Sequence, residues 1–194
     1  MIAVIDYQSG NISSILNTLQ KLKVPFIVTN KIKELEKAEK IIFPGVGHAK
    51  FAMQKLKEFK LIEFIKNTKQ PFFGVCLGMQ LLFSFSEEGD TPLLDVVPGK
   101  VKKFKSNKEK IPHMGWNNIS YTKKSNLFKD IPPEQYFYFV HSFYAEISDF
   151  TTSETNYINN FSASFEKDNF YGVQFHPEKS GNIGLNIFRN FINL

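Results

Sequence analysis

The stretch PFFGVCLGMQLLF (residues 71–83) decides the fold of this 194-residue chain. "FFGV" reads as a short buried strand, and "LGMQLLFSF" reads as the helix that follows it. Between them stands Cys76, the only cysteine present. A buried strand that turns at once into a helix makes a sharp corner, and the residue at the corner projects above the carboxyl edge of the sheet. Open α/β folds bind their ligands at that edge. Gly74-Val75-Cys76-Leu77-Gly78 is G-x-C-x-G, the thiol form of a nucleophile elbow, whose glycines allow close backbone approach. The N–H groups and the dipole at the start of the helix favour negative charge on the sulfur. Most free cysteines are small buried hydrophobes, and the glycine pair and the corner weigh against that fate here.

Outward from this corner the first half repeats one pattern. "IAVID" (2–6) precedes "NISSILNTLQKL" (11–22), whose Ile12, Ile15, Leu16, Leu19 and Leu22 fall at helical spacing. "FIVT" (26–29) precedes a short charged helix, and "KIIFPG" (40–45) precedes the amphipathic stretch 49–67, read as core packing with no further function. Repeated βα units imply a mainly parallel sheet with helices on both faces. After about residue 90 turn residues and strand-like segments take over, "EKDNF" reads as a hairpin turn, and "GNIGLNIFRNFINL" (181–194) reads as a closing helix. The expected architecture is one domain over 1–194, a three-layer α/β/α sandwich whose mainly parallel sheet gains antiparallel strands in its second half.

Composition narrows the function classes. The net charge is +5 and the isoelectric point is near 9.1, but the base is lysine, with Arg189 the only arginine. Arginine is the usual bidentate reader of phosphate and guanine, so nucleic acid is not an expected partner. The lysines are scattered apart from 99–110 and read as a solvated face. A single cysteine forms no intramolecular disulfide, and the amino terminus lacks the features of a signal peptide. No apolar run reaches the ~18 residues of a membrane span, so a cytoplasmic location without membrane contact is expected. There is neither a metal-ligand cluster nor a Walker-type loop, so no metal, nucleotide or other cofactor is expected.

A thiolate nucleophile works with a base, and the base with an orienting group. Of His48, His113, His141 and His176, only His176 ends an apolar strand with a carboxylate, Glu178, two residues on. Residues i and i+2 of an extended segment face the same way, and Pro177 between them restricts the backbone to extended forms. Cys76, His176 and Glu178 are therefore the expected catalytic set.

At these residues the chain resembles the class I (triad) glutamine amidotransferases, in which a Cys-His-Glu set hydrolyses glutamine and delivers ammonia to a synthase. "GVCLGMQLLF", "PGVG" (44–47), "IPHMGWNNI" (111–119), "YFVHSFYA" (138–145) and "GVQFHPEKSG" (172–181) run in the family's order and are most similar to its histidine-pathway branch. One departure is Gln8 in "DYQSGN", where the family more often has glycine. The resemblance implies that Cys76 forms a γ-glutamyl thioester, that His176 moves the protons and that Glu178 orients it. It implies oxyanion donors at Leu77 and in the loop Gly45-Val46-Gly47, a loop that in the family keeps the glutaminase quiet until the partner is loaded. Gln80, Glu88, His141, Ser142 and Phe143 match positions that hold glutamine, and Asn11, Trp116, Tyr136, Tyr138 and Lys179 match a partner-facing surface. The implied partner is a cyclase (βα)8-barrel subunit in a heterodimer with an ammonia channel, since the length leaves no room for a fused synthase. Three readings stay open beside this one: a paralogue feeding a sugar-modifying synthase of surface polysaccharide, a partner-independent cysteine hydrolase, and a non-catalytic regulatory subunit.

Overall fold

The structure, a computed structural model, describes residues 1–8 and 12–194. In chain order the first half holds β1 (Ile2–Ile5), α1 (Ser13–Lys21), β2 (Phe26–Thr29), α2 (Ile32–Leu35), β3 (Lys40–Phe43), α3 (Ala49–Glu58), α4 (Leu61–Asn67), β4 (Phe72–Val75) and α5 (Leu77–Gln80). Short strands follow: β5 (Phe85–Ser86), β6 (Thr91–Pro92), β7 (Lys100–Lys103), β8 (His113–Asn118) and β9 (Ser120–Tyr121). The rest is β10 (Tyr136–His141), β11 (Phe143–Ala145), β12 (Thr151–Tyr157), β13 (Asn159–Lys167), β14 (Phe170–Val173) and α6 (Gly181–Ile192).

The main sheet has the order β2-β1-β3-β4-β14-β13-β12-β9. Its first five strands are parallel to their neighbours, and β13, β12 and β9 add antiparallel pairs. Side chains alternate across the pleat, so the parallel strands are apolar on both faces. Ala3, Ile5, Ile41, Phe43 and Phe72 pack on one side with α3 and α4; Ile2, Val4, Ile42, Phe73 and Val75 pack on the other with α1 and α6. This is the three-layer α/β/α arrangement expected from the repeats. The "EKDNF" turn also forms: Lys167 pairs with Phe170, and Asp168 takes the left-handed φ of 53° that a two-residue hairpin loop demands.

Three details differ from the expectation. The stretch 49–67 is two helices, separated at Lys60, whose φ of 59° is left-handed. A straight helix would carry the buried stripe Ala49, Ala52, Leu56 onward to Glu63, and the break re-phases it so that Leu61 and Ile65 meet the core instead. The helix after Cys76 stops at Gln80, because the carbonyls of Leu82 and Phe83 accept N–H bonds from Val96, Val97 and Asp95 in place of helical partners. Lastly, not every later strand joins the main sheet: β8 and β10 form a separate two-stranded ribbon, and β11-β7-β5-β6 a four-stranded sheet. The ribbon alternates buried and exposed positions, burying Phe137 and Phe139 while exposing Tyr136, so it lies over the core with one wet face.

Candidate active site

The elbow is built where β4, β14 and the loop after β3 converge. Cys76 has φ 54° and ψ −112°, a conformation outside the ordinary regions for a side-chain-bearing residue and one that concentrates at functional corners. Its N–H donates to the Val173 carbonyl at 2.8 Å, pinning the turn to β14. Gly78 is obligatory by contact: a Cβ there would stand 1.9 Å from the Phe43 carbonyl oxygen. The glycine pair read from the sequence thus lets the chain after β3 lie directly against the elbow.

His176 and Glu178 sit in the segment after β14. The His176 N–H donates to the Tyr138 carbonyl at 2.8 Å, and Ser180 Oγ donates to the His176 carbonyl at 2.7 Å while accepting the Tyr138 N–H at 3.0 Å. The backbone that carries the imidazole is thereby fixed between β10 and the start of α6. Its Nδ1 meets Glu178 Oε1 at 2.7 Å, with side chains only 2% and 6% exposed. Nε2 has no aligned hydrogen bond and is left for the Cys76 sulfur, which neighbours the ring. Burial by itself would lower the His176 pKa, but the sulfur and then the Glu178 carboxylate outweigh it and raise it to about 10. A charged imidazole held between two acidic partners is the arrangement of a proton donor beside a nucleophile.

Cys76 and His176 line a cavity of about 360 Å³ together with Val46, Gly47, Leu77, Gln80, Glu88, His141, Ser142, Phe143 and Lys179. The tertiary fold therefore gathers every sequence-predicted substrate residue around the sulfur, and Gly45 packs against Leu77 and Gly78. A larger cavity of about 490 Å³, near Tyr121 and Lys129, contains none of the predicted residues.

Two predicted donors and acceptors carry contacts of their own. The Leu77 N–H donates to the Gly45 carbonyl at 3.3 Å, so the expected oxyanion loop presents a carbonyl, not a donor, to that N–H. The loop is tied at one end by Tyr7 Oη donating to the Pro44 carbonyl at 2.8 Å, while at the other end Gly47 has φ 106° and open space around its Cβ position, which lets the peptide between them turn. Glu88 Oε2 accepts the Ala49 N–H at 2.7 Å, capping α3 while its residue borders the cavity.

Behind the cavity runs a chain of neutral bonds with a readable direction. The Phe143 carbonyl can only accept, so His141 Nδ1–H donates to it at 2.8 Å. His141 Nε2 is then an acceptor, and His113 Nδ1–H donates to it at 3.0 Å. Burial pushes His141 down to about 3 and His113 down to about 4, so both rings are neutral near pH 7.

On the outer side of the ribbon Trp116 and Tyr138 are cross-strand partners in edge contact, centroids 6.1 Å apart, and Lys179 Nζ lies 5.9 Å from the Tyr138 ring. Trp116 is 56% exposed and Tyr136 59%. Lys179 belongs to this face and to the cavity at once. Asn11 lies outside the described residues. Gln8 takes a left-handed φ of 61°, which accounts for glycine being the easier residue there.

Sequence reasoning passed over Gln174 and the bond between His113 and His141. Gln174 stands two residues before His176, and that spacing on an apolar strand was the available signal. No local signal marks His113, which meets His141 only through strand pairing.

Residues 3–194 match the family model for glutamine amidotransferase class-I. The chain is 50% identical over 195 aligned residues to "Imidazole glycerol phosphate synthase subunit HisH" of Bacteroides fragilis, covering 100% of this chain and 99% of that protein. It is 42% identical to "Imidazole glycerol phosphate synthase subunit HisH 2" of Legionella pneumophila, covering 100% and 98%. Among solved structures, that of PurLQS from Thermotoga maritima superposes with a TM-score of 0.69 at 18% identity, covering 99% and 97%; this likeness bears on the fold.

Proposed function

The chain belongs to the class I glutamine amidotransferases, and on that premise we propose that it is the glutaminase subunit of imidazole glycerol phosphate synthase. It hydrolyses glutamine to glutamate and ammonia in histidine biosynthesis, acting in the cytoplasm, with residues 1–194 as one amidotransferase domain. The observation that carries the catalytic reading is the convergence of a strained Cys76, the His176–Glu178 pair at 2.7 Å and five predicted glutamine-binding residues on one cavity.

In this mechanism the Cys76 sulfur attacks the side-chain carbonyl carbon of glutamine; a C–S bond forms and the carbonyl electron pair moves to oxygen. As the tetrahedral intermediate collapses, the C–N bond breaks and His176 Nε2 gives its proton to the leaving ammonia. The resulting thioester is cleaved by water, whose proton returns to His176, releasing glutamate. Glu178 holds the ring in the Nδ1–H form throughout. Leu77 and the 45–47 loop supply the oxyanion donors once the Gly45 carbonyl moves off the Leu77 N–H, and one such donor is worth about 3 kcal/mol in the transition state.

The ammonia acceptor is a cyclase (βα)8-barrel subunit joined in a heterodimer. Its docking face is the ribbon surface of Trp116, Tyr136 and Tyr138, an aromatic group linked to the cavity through Lys179, which lies against the Tyr138 ring and lines the cavity; aromatic anchors of this kind dominate interface energies. Ammonia passes between the two sites without entering bulk water, where it would be protonated.

Glutamate release by the purified chain, measured alone and with the cyclase subunit of the same genome, with and without that subunit's ribonucleotide substrate, tests the assignment. Near silence alone, activation in the loaded complex and loss in Cys76→Ala are expected. A cyclase that neither binds nor activates the chain would overturn it and redirect the search to another acceptor.

A further inference from the structure

The residue after β14, Gln174, is fully buried, and its side-chain amide is used at both ends. Its Nε2 donates to Cys76 Sγ at 3.7 Å, a normal separation for a bond to the larger sulfur atom. Its Oε1 accepts from Gln80 Nε2 at 2.8 Å. Gln80 Nε2 also donates to the Phe143 carbonyl at 2.8 Å.

These three contacts leave no freedom in which way the Gln174 amide faces. A main-chain carbonyl only accepts, so Gln80 must turn its nitrogen toward Phe143. The second hydrogen on that nitrogen then requires an acceptor, which Gln174 Oε1 provides. The Gln174 nitrogen is therefore directed at the sulfur by backbone geometry two residues removed from it. A buried amide flipped the other way would set two NH2 groups against each other and aim an oxygen lone pair at a sulfur that must become negative.

We propose that Gln174 is a further functional residue of the hydrolytic site: its amide N–H is a fixed donor to the Cys76 thiolate, and Gln80 orients it. The donor holds Sγ at the attack position from the sheet side and, with the His176 imidazolium, accommodates its negative charge. Gln80 thereby acts on the nucleophile as well as bordering the substrate cavity, so glutamine binding and sulfur orientation share one amide pair. The inference rests on Cys76 being the nucleophile of the proposed reaction.

Because the chain has one cysteine, alkylation by iodoacetamide reports this thiol alone and needs no substrate. Gln174→Met keeps the volume and removes the donor; Gln174→Glu keeps the acceptor for Gln80 and turns oxygen to the sulfur. The expected result at pH 7 is alkylation slowed by about tenfold in the first and more in the second, with the rate–pH profile moved to higher pH. In the complex with the cyclase, kcat falls by about tenfold while KM stays within about threefold. A second readout uses the unsubstituted chain: with amide-15N glutamine labelling, the Gln174 side-chain N–H signal should change when the sulfur ionises and lose that dependence in Cys76→Ala.

Alkylation rates and profile unchanged in a folded Gln174→Met chain, or a Gln174 signal indifferent to the sulfur, would reduce Gln174 to core packing and overturn the proposal. Since neither readout involves glutamine turnover, that failure is separable from failure of the glutaminase assignment. Absence of glutamine turnover in the unsubstituted complex, with the sulfur effects as expected, would instead count against the assignment.

Discussion

His176 and His141 border the same cavity and are both buried, yet their surroundings drive them in opposite directions. Around His176 the sulfur and the Glu178 carboxylate overcome burial and raise the imidazole to about 10. Around His141 burial goes unopposed by any anion, the only favourable contact being the Phe143 carbonyl, and the ring falls to about 3. Depth in the protein therefore does not decide the charge of a histidine; the partner does. One region holds a charge beside the Cys76 sulfur, and the other holds a neutral scaffold in which each ring has one defined tautomer.

The largest break of this contrast is Cys76→Ala. Glutamine hydrolysis by the complex should fall by at least about a thousandfold, and NMR titration of His176 should show its pKa lower than in the unsubstituted chain. An unaltered rate would remove Cys76 from the mechanism. Next comes Glu178→Gln, which leaves a side chain of the same shape but no carboxylate; kcat should drop by about a hundredfold to ten-thousandfold, with an accompanying fall in the His176 pKa. A variant at full activity would make Glu178 a purely structural neighbour.

On the neutral side, His141→Leu strands the buried His113 Nδ1–H and costs about 1–3 kcal/mol in denaturant unfolding. No loss there would mean that the His113–His141 bond carries no weight. The opposite shifts also give opposite pH limbs of stability. For His176, whose folded pKa is raised, the contribution is full below about 6.5 and is lost as pH climbs through about 10. For His113 and His141, whose folded pKa values are lowered, the contribution is present above about 6.5 and is lost as pH falls toward about 4 and about 3. Melting temperature against pH should show both limbs, with Cys76→Ala weakening only the alkaline one. The smallest effect on the fold is Trp116→Ala on the outer face of the ribbon: stability should stay within about 0.5 kcal/mol while association with the proposed cyclase partner weakens by about 2 kcal/mol. An unchanged dissociation constant would move the docking surface elsewhere.

Much of this was legible in the chain itself. The elbow at Cys76 and the His176–Glu178 pair were read from a few adjacent residues, because a strand-to-helix corner and an i, i+2 relation in an extended segment are local geometry. The helical break at Lys60 was less visible, since a stripe read over 49–67 hides its change of phase. The early end of the helix after Cys76 was not visible at all, because it depends on Val96, Val97 and Asp95 arriving from a later loop. The same holds for the placement of β8 and β10 in a separate ribbon. Their alternation says that one face is buried, not which layer buries it.

The sequence by itself determined the parallel α/β sandwich, the cysteine at a strand-to-helix corner and the i, i+2 pairing of His176 with Glu178, since each rests on periodicity or on spacing within one segment, whereas the set of side chains around them followed from the resemblance to the class I glutamine amidotransferases. Only the tertiary structure decided that the Gly45 carbonyl covers the Leu77 N–H, that Trp116 is turned outward and that Gln174 aims its nitrogen at the sulfur. Those are relations between segments far apart in the chain, and their direction is set by donors and acceptors that become neighbours only once the sheet has formed.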